Sequence, residues 1–214
     1  LIAKEGANSA AIGGGSHITS SPCVSINVCG GIITATGGEG AAAIGADKDG
    51  KCTAVSITDG VTQMTAFRGS DADQCVGSSN LAQGAQVTID AVEYYDGTSY
   101  KNNGATYLNQ NKFVFGNINK GPVTVIDARG LIKGTGETTS NRITFGGTSE
   151  TTLDNVNIST IGCPVNCNGY PTVILKDGTT NTVTCTGTSG EDAYPALWVG
   201  TRGHSNLIIK GETL

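Results

Sequence analysis

The acidic side chains are the first residues in this sequence whose types and spacing are suited to binding a ligand. Asp47-Lys-Asp-Gly50 has the alternating oxygens with which a calcium-binding loop begins, and Ser70-Asp-Ala-Asp73 is a second cluster of oxygen ligands. The acidic residue that would close a calcium loop after Asp47 is missing, and Asp-Gly is also an ordinary turn sequence. We therefore predict a turn at Asp47 and no bound metal ion or other cofactor.

A second group of charged residues is predicted to form a small charged patch. Asp90 and Asp127 each end a strand-like segment, and Arg129 follows close by. Aspartate is also a common residue at the end of a strand, and the two histidines, His17 and His204, lie in loop-like sequence. We nominate no catalytic residue and predict that the protein is not an enzyme.

Seven cysteines in a chain of small residues are typical of an oxidising compartment. Cys23 and Cys52 precede equivalent strands of a repeated unit, and adjacent strands are ~4.8 Å apart, within the range that a disulfide spans. Cys163 and Cys167 flank Pro164-Val-Asn166 and are suited to closing a tight loop. We name all four as disulfide candidates, with buried free thiols as the alternative.

Short β-branched segments separated by glycines position these residues. Ser25–Val28, Ile32–Thr36 and Ala42–Ile44 are predicted strands, and Val24, Ile26, Thr34 and Ala35 recur 31 residues later as Val55, Ile57, Thr65 and Ala66. Similar strand-like segments recur less regularly downstream, at intervals averaging about 30 residues: Gln86–Asp90, Val123–Asp127, Leu153–Ile158, Asn181–Cys185 and Asn206–Lys210. The chain is therefore predicted to be one all-β domain, 1–214, of stacked repeats with a loop insertion around 93–112.

Composition excludes several classes of partner. The net charge is −5 and only 14% of residues are charged, so neither nucleic acid nor an anionic membrane surface is an expected partner. No apolar run approaches the ~18 residues of a membrane span.

The two ends of the sequence complement each other. Leu1–Gly13 matches the second half of the repeated unit Ile33–Gly45, whereas Leu207–Leu214 has the form of a first strand and the opening of a second. Placed end to start, they read as one complete repeat, and His204 then aligns with His17 in the same loop. This predicts a repeat that is split between the C-terminus of one copy and the N-terminus of the next.

Gly31-Ile-Ile-Thr-Ala-Thr-Gly-Gly-Glu-Gly-Ala-Ala-Ala-Ile-Gly45 resembles the GGxxTATGGxGAAAIG-type repeats of large bacterial cell-surface β-solenoid proteins. The resemblance is close over residues 1–80 and general afterwards. It implies a right-handed parallel β-helix, secreted or attached to the cell wall, with an adhesive or structural role. Counting the first strands of the repeats along the sequence predicts about seven rungs. Ile12, Ile26, Ile44, Val55, Ile57, Val125 and Ile174 are the residues expected to point inward.

These observations lead to a structural subunit of an extracellular or cell-surface filament, in which the split rung joins copies of the chain head to tail. The alternative is a monomeric carbohydrate-binding or pectate-lyase-like β-helix protein. Extracellular glycans are a second class of partner, besides the chain itself. The residues predicted to form the interface between subunits are Leu1, Ile2, Ile12, His17, His204, Leu207, Ile208, Ile209 and Leu214.

Overall fold

The computed structural model describes residues 1–4, 6–15, 23–47, 49–188, 194–200 and 205–212, without the side chain of Gln83. Strands make up 49% of the chain and helices 4%, which confirms the all-β prediction. The chain divides into two compact units, Leu1–Phe113 and Val114–Leu214. The prediction of one domain over 1–214 stays a prediction.

The first unit contains ten complete strands and the start of an eleventh. In chain order they are β1 (Ile2–Lys4), β2 (Ile12–Gly13), β3 (Cys23–Val28), β4 (Gly31–Thr36), β5 (Ile44–Gly45), β6 (Cys52–Ile57), β7 (Val61–Phe67), β8 (Val76–Gly77), β9 (Gln86–Ile89), β10 (Val92–Tyr95) and β11 (Lys112–Asn117). Strands three apart in sequence pair in parallel, as β1-β4-β7, β2-β5-β8 and β3-β6-β9. Three consecutive strands thus form a layer, and this unit has three layers.

The register confirms the predicted repeat in one sheet and corrects it in another. Thr34 lies beside Thr65 in β4 and β7, as the sequence pattern predicts. In β3 and β6, however, Ile26 lies beside Val55 and not beside Ile57, so the repeat in this sheet is shorter by two positions. The same shorter register places Cys23 beside Cys52, as predicted.

The parallel pattern is interrupted near the predicted insertion at 93–112. Asp90 and Ala91, both with positive φ, form a two-residue turn after which β10 returns antiparallel to β9. A short helix, α1 (Gly104–Leu108), follows, and a 3-10 turn, Leu81–Gln83, precedes β9. The segment is not a protruding polar loop throughout, because Tyr94, Tyr95 and Tyr107 are buried.

The second unit is a second set of parallel sheets. Its complete strands are β12 (Val123–Ile126), β13 (Arg129–Lys133), β14 (Ile143–Gly147), β15 (Glu150–Asp154), β16 (Asn157–Thr160), β17 (Val165–Gly169), β18 (Thr172–Leu175), β19 (Thr182–Cys185), β20 (Leu197–Val199) and β21 (Ile208–Gly211). They pair as β12-β14-β17-β20, β13-β15-β18-β21 and β16-β19. Four layers succeed one another along the chain, and β20 and β21 belong to the last.

The core of the second unit is shared by its three sheets. Val125 and Phe145 from one sheet, Leu153 from the next and Ile158 from the third are all 5% exposed or less and belong to one cluster. The less regular repeat predicted for this part of the sequence does not follow a single sheet. Its segments Val123–Asp127, Asn181–Cys185 and Asn206–Lys210 fall on strands of three different sheets.

Most of the residues expected to point inward are buried. Ile44, Val55, Ile57 and Val125 are at most 1% exposed, and Ile174 is 9% exposed. The other two, Ile12 and Ile26, are only partly buried. Both lie in the outermost layer of the first unit.

Candidate functional site

The first layer, formed by β1, β2 and β3, leaves apolar side chains partly uncovered. Its strands are each the outermost of their sheets among the described residues. Its inward residues Ala3, Ile12, Ile26 and Val28 are all partly exposed, whereas their partners in the second layer are at most 1% exposed: Ala35, Ile44, Val55 and Ile57. The same kind of side chain at the same position is therefore buried only where another layer covers it.

The last layer of the second unit, β20 and β21, shows the same gradient. Val199 is 41% exposed although its partner Cys167 is fully buried, and Ile209 is 51% exposed beside Val173, which is 3% exposed. β21 pairs with β18 on one side, and no described strand pairs with its other side. Such an unpaired edge can add a further strand.

The predicted interface residues fall on these two layers as far as the structure describes them. Leu1 and Ile2 are 74% and 75% exposed, and Ile208 is 52% exposed. Leu207 is partly buried against the core of the second unit. The predicted His17, His204 and Leu214 lie outside the described residues.

An alternating row of charges runs along the β13-β15-β18-β21 sheet. Lys133 lies beside Asp154, with their Nζ and Oδ2 atoms 3.8 Å apart, and the Lys176 Nζ is 2.7 Å from the same Oδ2. Glu212 continues the row, because its backbone N–H donates to the Leu175 carbonyl just as Lys176 donates to that of Leu153. The row was not predicted from the sequence. Its first three members are 21 and 22 residues apart, but the step from Lys176 to Glu212 is 36 residues, so the period ends there.

The Cys23 and Cys52 thiols meet at the edge of the first layer. Their Sγ atoms are 3.0 Å apart and not bonded to each other. Burial, followed by the hydrogen bond with Cys23, raises the pKa of the Cys52 thiol to about 12. Cys52 is therefore almost entirely protonated at neutral pH, although its position suits a disulfide.

We expect oxidised glutathione to join Cys23 to Cys52, with a rate that rises with pH. Cys23 would first form a mixed disulfide with release of one glutathione, and the Cys52 thiolate would then displace the second. Because the Cys52 pKa is about 12, the second step should speed up roughly tenfold for each pH unit between 7 and 9. Peptide mapping after alkylation in denaturant would then show Cys23 joined to Cys52, with neither of these two thiols alkylated.

A Cys52→Ala variant is the control for this reaction. It should stop at the mixed disulfide, with one glutathione still attached to the Cys23 peptide. A peptide map that joins Cys23 to any other cysteine would contradict the pairing.

The other predicted disulfide candidates are also thiols in the structure. The Cys163 Sγ lies 3.0 Å from the Val165 carbonyl oxygen, and Cys167 is fully buried in the core of the second unit. Burial raises the pKa of Cys167 to about 11, and the nearby Cys163 acts in the same direction. A bond between Cys163 and Cys167 stays a prediction.

The acidic motifs have structural partners. Asp47 Oδ1 accepts hydrogen bonds from the backbone N–H groups of Asp49 and Gly50. These two hydrogen bonds form the turn predicted at Asp47. Asp127 Oδ1 accepts from the Thr148 N–H at 2.8 Å, and Arg129 forms an ion pair with Glu150. Among the described residues, no group of three or more His, Cys, Asp or Glu side chains is close enough together to hold a metal ion.

One pair of aromatic rings has the form of a carbohydrate-binding surface. Tyr194 and Trp198 stack with ring centroids 5.3 Å apart and an interplanar angle of 28°. Tyr194 is 38% exposed, and the Trp198 Nε1 donates to the Gly200 carbonyl. Both lie in or next to β20, in the uncovered last layer, so they are equally suited to packing against another copy.

Comparison with known proteins finds no family model, no curated protein and no solved structure that matches this chain. Within the described part of the chain, no helix is both long and apolar enough to cross a membrane.

Proposed function

We propose that this chain is a structural subunit of an extracellular filament in which copies stack head to tail. The observation that carries the proposal is the loss of burial in the outermost layers, where Ile12 is partly exposed and Ile209 is 51% exposed although their partners are buried. A further copy would cover both surfaces, and fully burying one such side chain contributes about 1.5–3 kcal/mol. Because the two surfaces differ, the contact is heterologous, and with no rotation that closes a ring it propagates into a filament.

The fold proposed for this subunit is a right-handed parallel β-helix. Parallel pairing of every third strand in the first unit, and the three pairing series of the second, support it. The three layers of the first unit and the four of the second agree in number with about seven rungs. An adhesive role at the cell surface, with glycans as partners, belongs to the same proposal.

The charge row favours one register for the joint between copies. Its last member is the negative Glu212, whose Oε2 accepts from the Asp177 N–H at 3.4 Å. Continuing the alternation of charge places a positive residue next, and Lys4 of β1 is exposed at the outer edge of the first layer. If Lys4 of the next copy lies beside Glu212, parallel pairing brings Ala3 beside Gly211 and Leu1 beside Ile209. The inward Ala3 then continues the inward side of β21, because side chains alternate along a strand.

Charge reversal tests this joint. We expect Lys4→Glu and Glu212→Lys each to raise the protein concentration needed for filaments roughly tenfold, because turning an attractive pair into a repulsive one costs about 1–2 kcal/mol. Combining both changes should restore assembly to near the original concentration. Sedimentation and electron microscopy would measure filament formation.

Lys51→Glu is the matched control, since Lys51 is exposed beside β6, in a layer that is already covered on both sides. It should assemble as the unchanged protein does. Failure of the double reversal to rescue, with both single variants folded, would rule out this register.

Deleting residues 208–214 tests the wider proposal. The truncated chain should fold and remain as single copies, because the edge offered by β21 is gone. Filaments of unchanged length and stability would exclude this joint, and discrete particles formed by the intact chain would favour the monomeric carbohydrate-binding alternative. The intact mass of native material then distinguishes separate chains from repeats of one long chain.

A further inference from the structure

β3 is the least protected long strand of the first unit. It is the outermost strand of the β10-β9-β6-β3 sheet among the described residues, and it pairs with β6 on one side only. None of its six residues is fully buried, whereas Cys52, Val55 and Ile57 of β6 are at most 2% exposed. A strand held in this way opens locally more often than a strand inside the sheet.

The pair of thiols described above lies at the first residue of this strand. Cys23 begins β3 and is in register with Cys52, which begins β6. Their Sγ atoms are already in contact at 3.0 Å, and Cys23 is partly exposed, so a reagent in solution can reach it. The Cys23 Cβ also lies 3.9 Å from the point where a Cβ on Gly14 would stand, so the pair adjoins the end of β2. A bond between the thiols would therefore fasten the outermost layer to the second.

The thiol pair is confined to the outer end of this sheet. β9, on the other side of β6, begins at Gln86 beside Ala54 and contains no cysteine. Packing is tight between these two inner strands, since Val55 and Val87 are at most 1% exposed. The two cysteines thus lie where packing holds the strand least.

We propose that oxidation of Cys23 and Cys52 to a disulfide fixes β3 to β6 and so orders the first layer for the docking of another copy. The docking step rests on the proposed function, whereas the fixing of β3 does not. In the reaction, two protein thiols and one oxidised glutathione give one protein disulfide and two reduced glutathione molecules. Copies kept under reducing conditions retain a β3 that opens, so they dock more weakly than oxidised copies.

Hydrogen exchange of the single chain tests the fixing of β3 without filaments. The disulfide would close a loop of 29 residues. We therefore expect the β3 amide hydrogens that bond to β6 to exchange roughly tenfold more slowly after oxidation, because the covalent bond disfavours local opening. Exchange in β18, in the second unit, should not change. A peptide map that joins Cys23 to Cys52 verifies the oxidised state.

The Cys23→Ala/Cys52→Ala double variant is the matched control. It removes both thiols and leaves the other cysteines of the chain exposed to the same treatment with oxidised glutathione. Its β3 exchange and its assembly should be the same before and after treatment. Any change caused by glutathione on another cysteine would appear in this variant too.

Sedimentation of oxidised and reduced protein tests the docking step. We expect the oxidised chain to form filaments at a roughly threefold lower concentration, because β3 no longer has to be ordered during docking. Equal β3 exchange in the two states would overturn the fixing of β3, as would failure of the two thiols to join. Slower exchange with an unchanged filament concentration would overturn the docking step alone. Absence of filaments in both states would contradict the proposed function and the docking step together.

Discussion

Gly45→Ala is expected to destabilise the first unit by roughly 3–5 kcal/mol, from backbone strain and overpacking together. Gly45 has φ +136°, and a Cβ atom there would overlap the Gly77 carbonyl oxygen of the next layer. Gly13, Gly45 and Gly77 stack in register with φ between 118° and 138°, so no neighbour can move away without disturbing its own turn. Urea denaturation followed by circular dichroism would measure the loss.

Gly31→Ala is the control that separates backbone strain from steric overlap. Gly31 also has positive φ, +88°, but no atom lies within 4 Å of its added Cβ. We expect it to cost about 1–2 kcal/mol. Equal losses for Gly31→Ala and Gly45→Ala would show that the close approach of layers at Gly45 is unimportant.

Ile44→Ala and Ile12→Ala should differ although the two isoleucines are register partners of the same type. Ile44 is fully buried between β2 and β8, so truncation should cost about 2–5 kcal/mol. Ile12 lies in the uncovered first layer, and its loss should cost about 1 kcal/mol in the single chain. Both values come from chemical denaturation at a concentration below assembly.

Comparing Ile12→Ala with Ile44→Ala also relates the stability of the single chain to filament assembly. In filaments Ile12 would be covered as Ile44 is, so Ile12→Ala should raise the concentration needed for assembly more than its effect on the single chain suggests. A fully buried Ile12 in the single chain, shown by a loss equal to that of Ile44→Ala, would contradict the uncovered layer and the proposal built on it.

Local pattern was enough to predict the strands of the first unit. The predictions at Ser25–Val28 and Ile32–Thr36 fall within β3 and β4, which span Cys23–Val28 and Gly31–Thr36. The prediction at Ala42–Ile44 overlaps β5, Ile44–Gly45, at Ile44 alone. Glycines at the breaks and β-branched residues between them are local signals, and copies at nearly constant spacing reinforced them. The position of Cys23 beside Cys52 was also predicted, although it follows a spacing of 29 residues in this sheet and not the spacing of 31 in the repeat.

Further along the chain, the loops vary in length, so the spacing of strand-like segments no longer indicates which strands pair. Val123, Ile143 and Val165 begin successive paired strands at nearly even spacing, but Leu197, which begins the next strand of that sheet, comes after a much longer connection. A strand carries only the alternation of its own side chains, and nothing local specifies which earlier strand it will lie against. The less regular repeat predicted from the sequence therefore grouped strands that belong to different sheets.

By itself the sequence determined the all-β class, the short strands and the repeat over positions 1–80, because these depend on neighbouring residues and regular spacing. Only the tertiary structure decided the register that places Ile26 beside Val55 and the charge row that ends on Glu212. Each of these depends on residues from separate layers, and the loops between those layers vary in length. Contact across layers is a property of the packed backbone, and no single stretch of the chain encodes it.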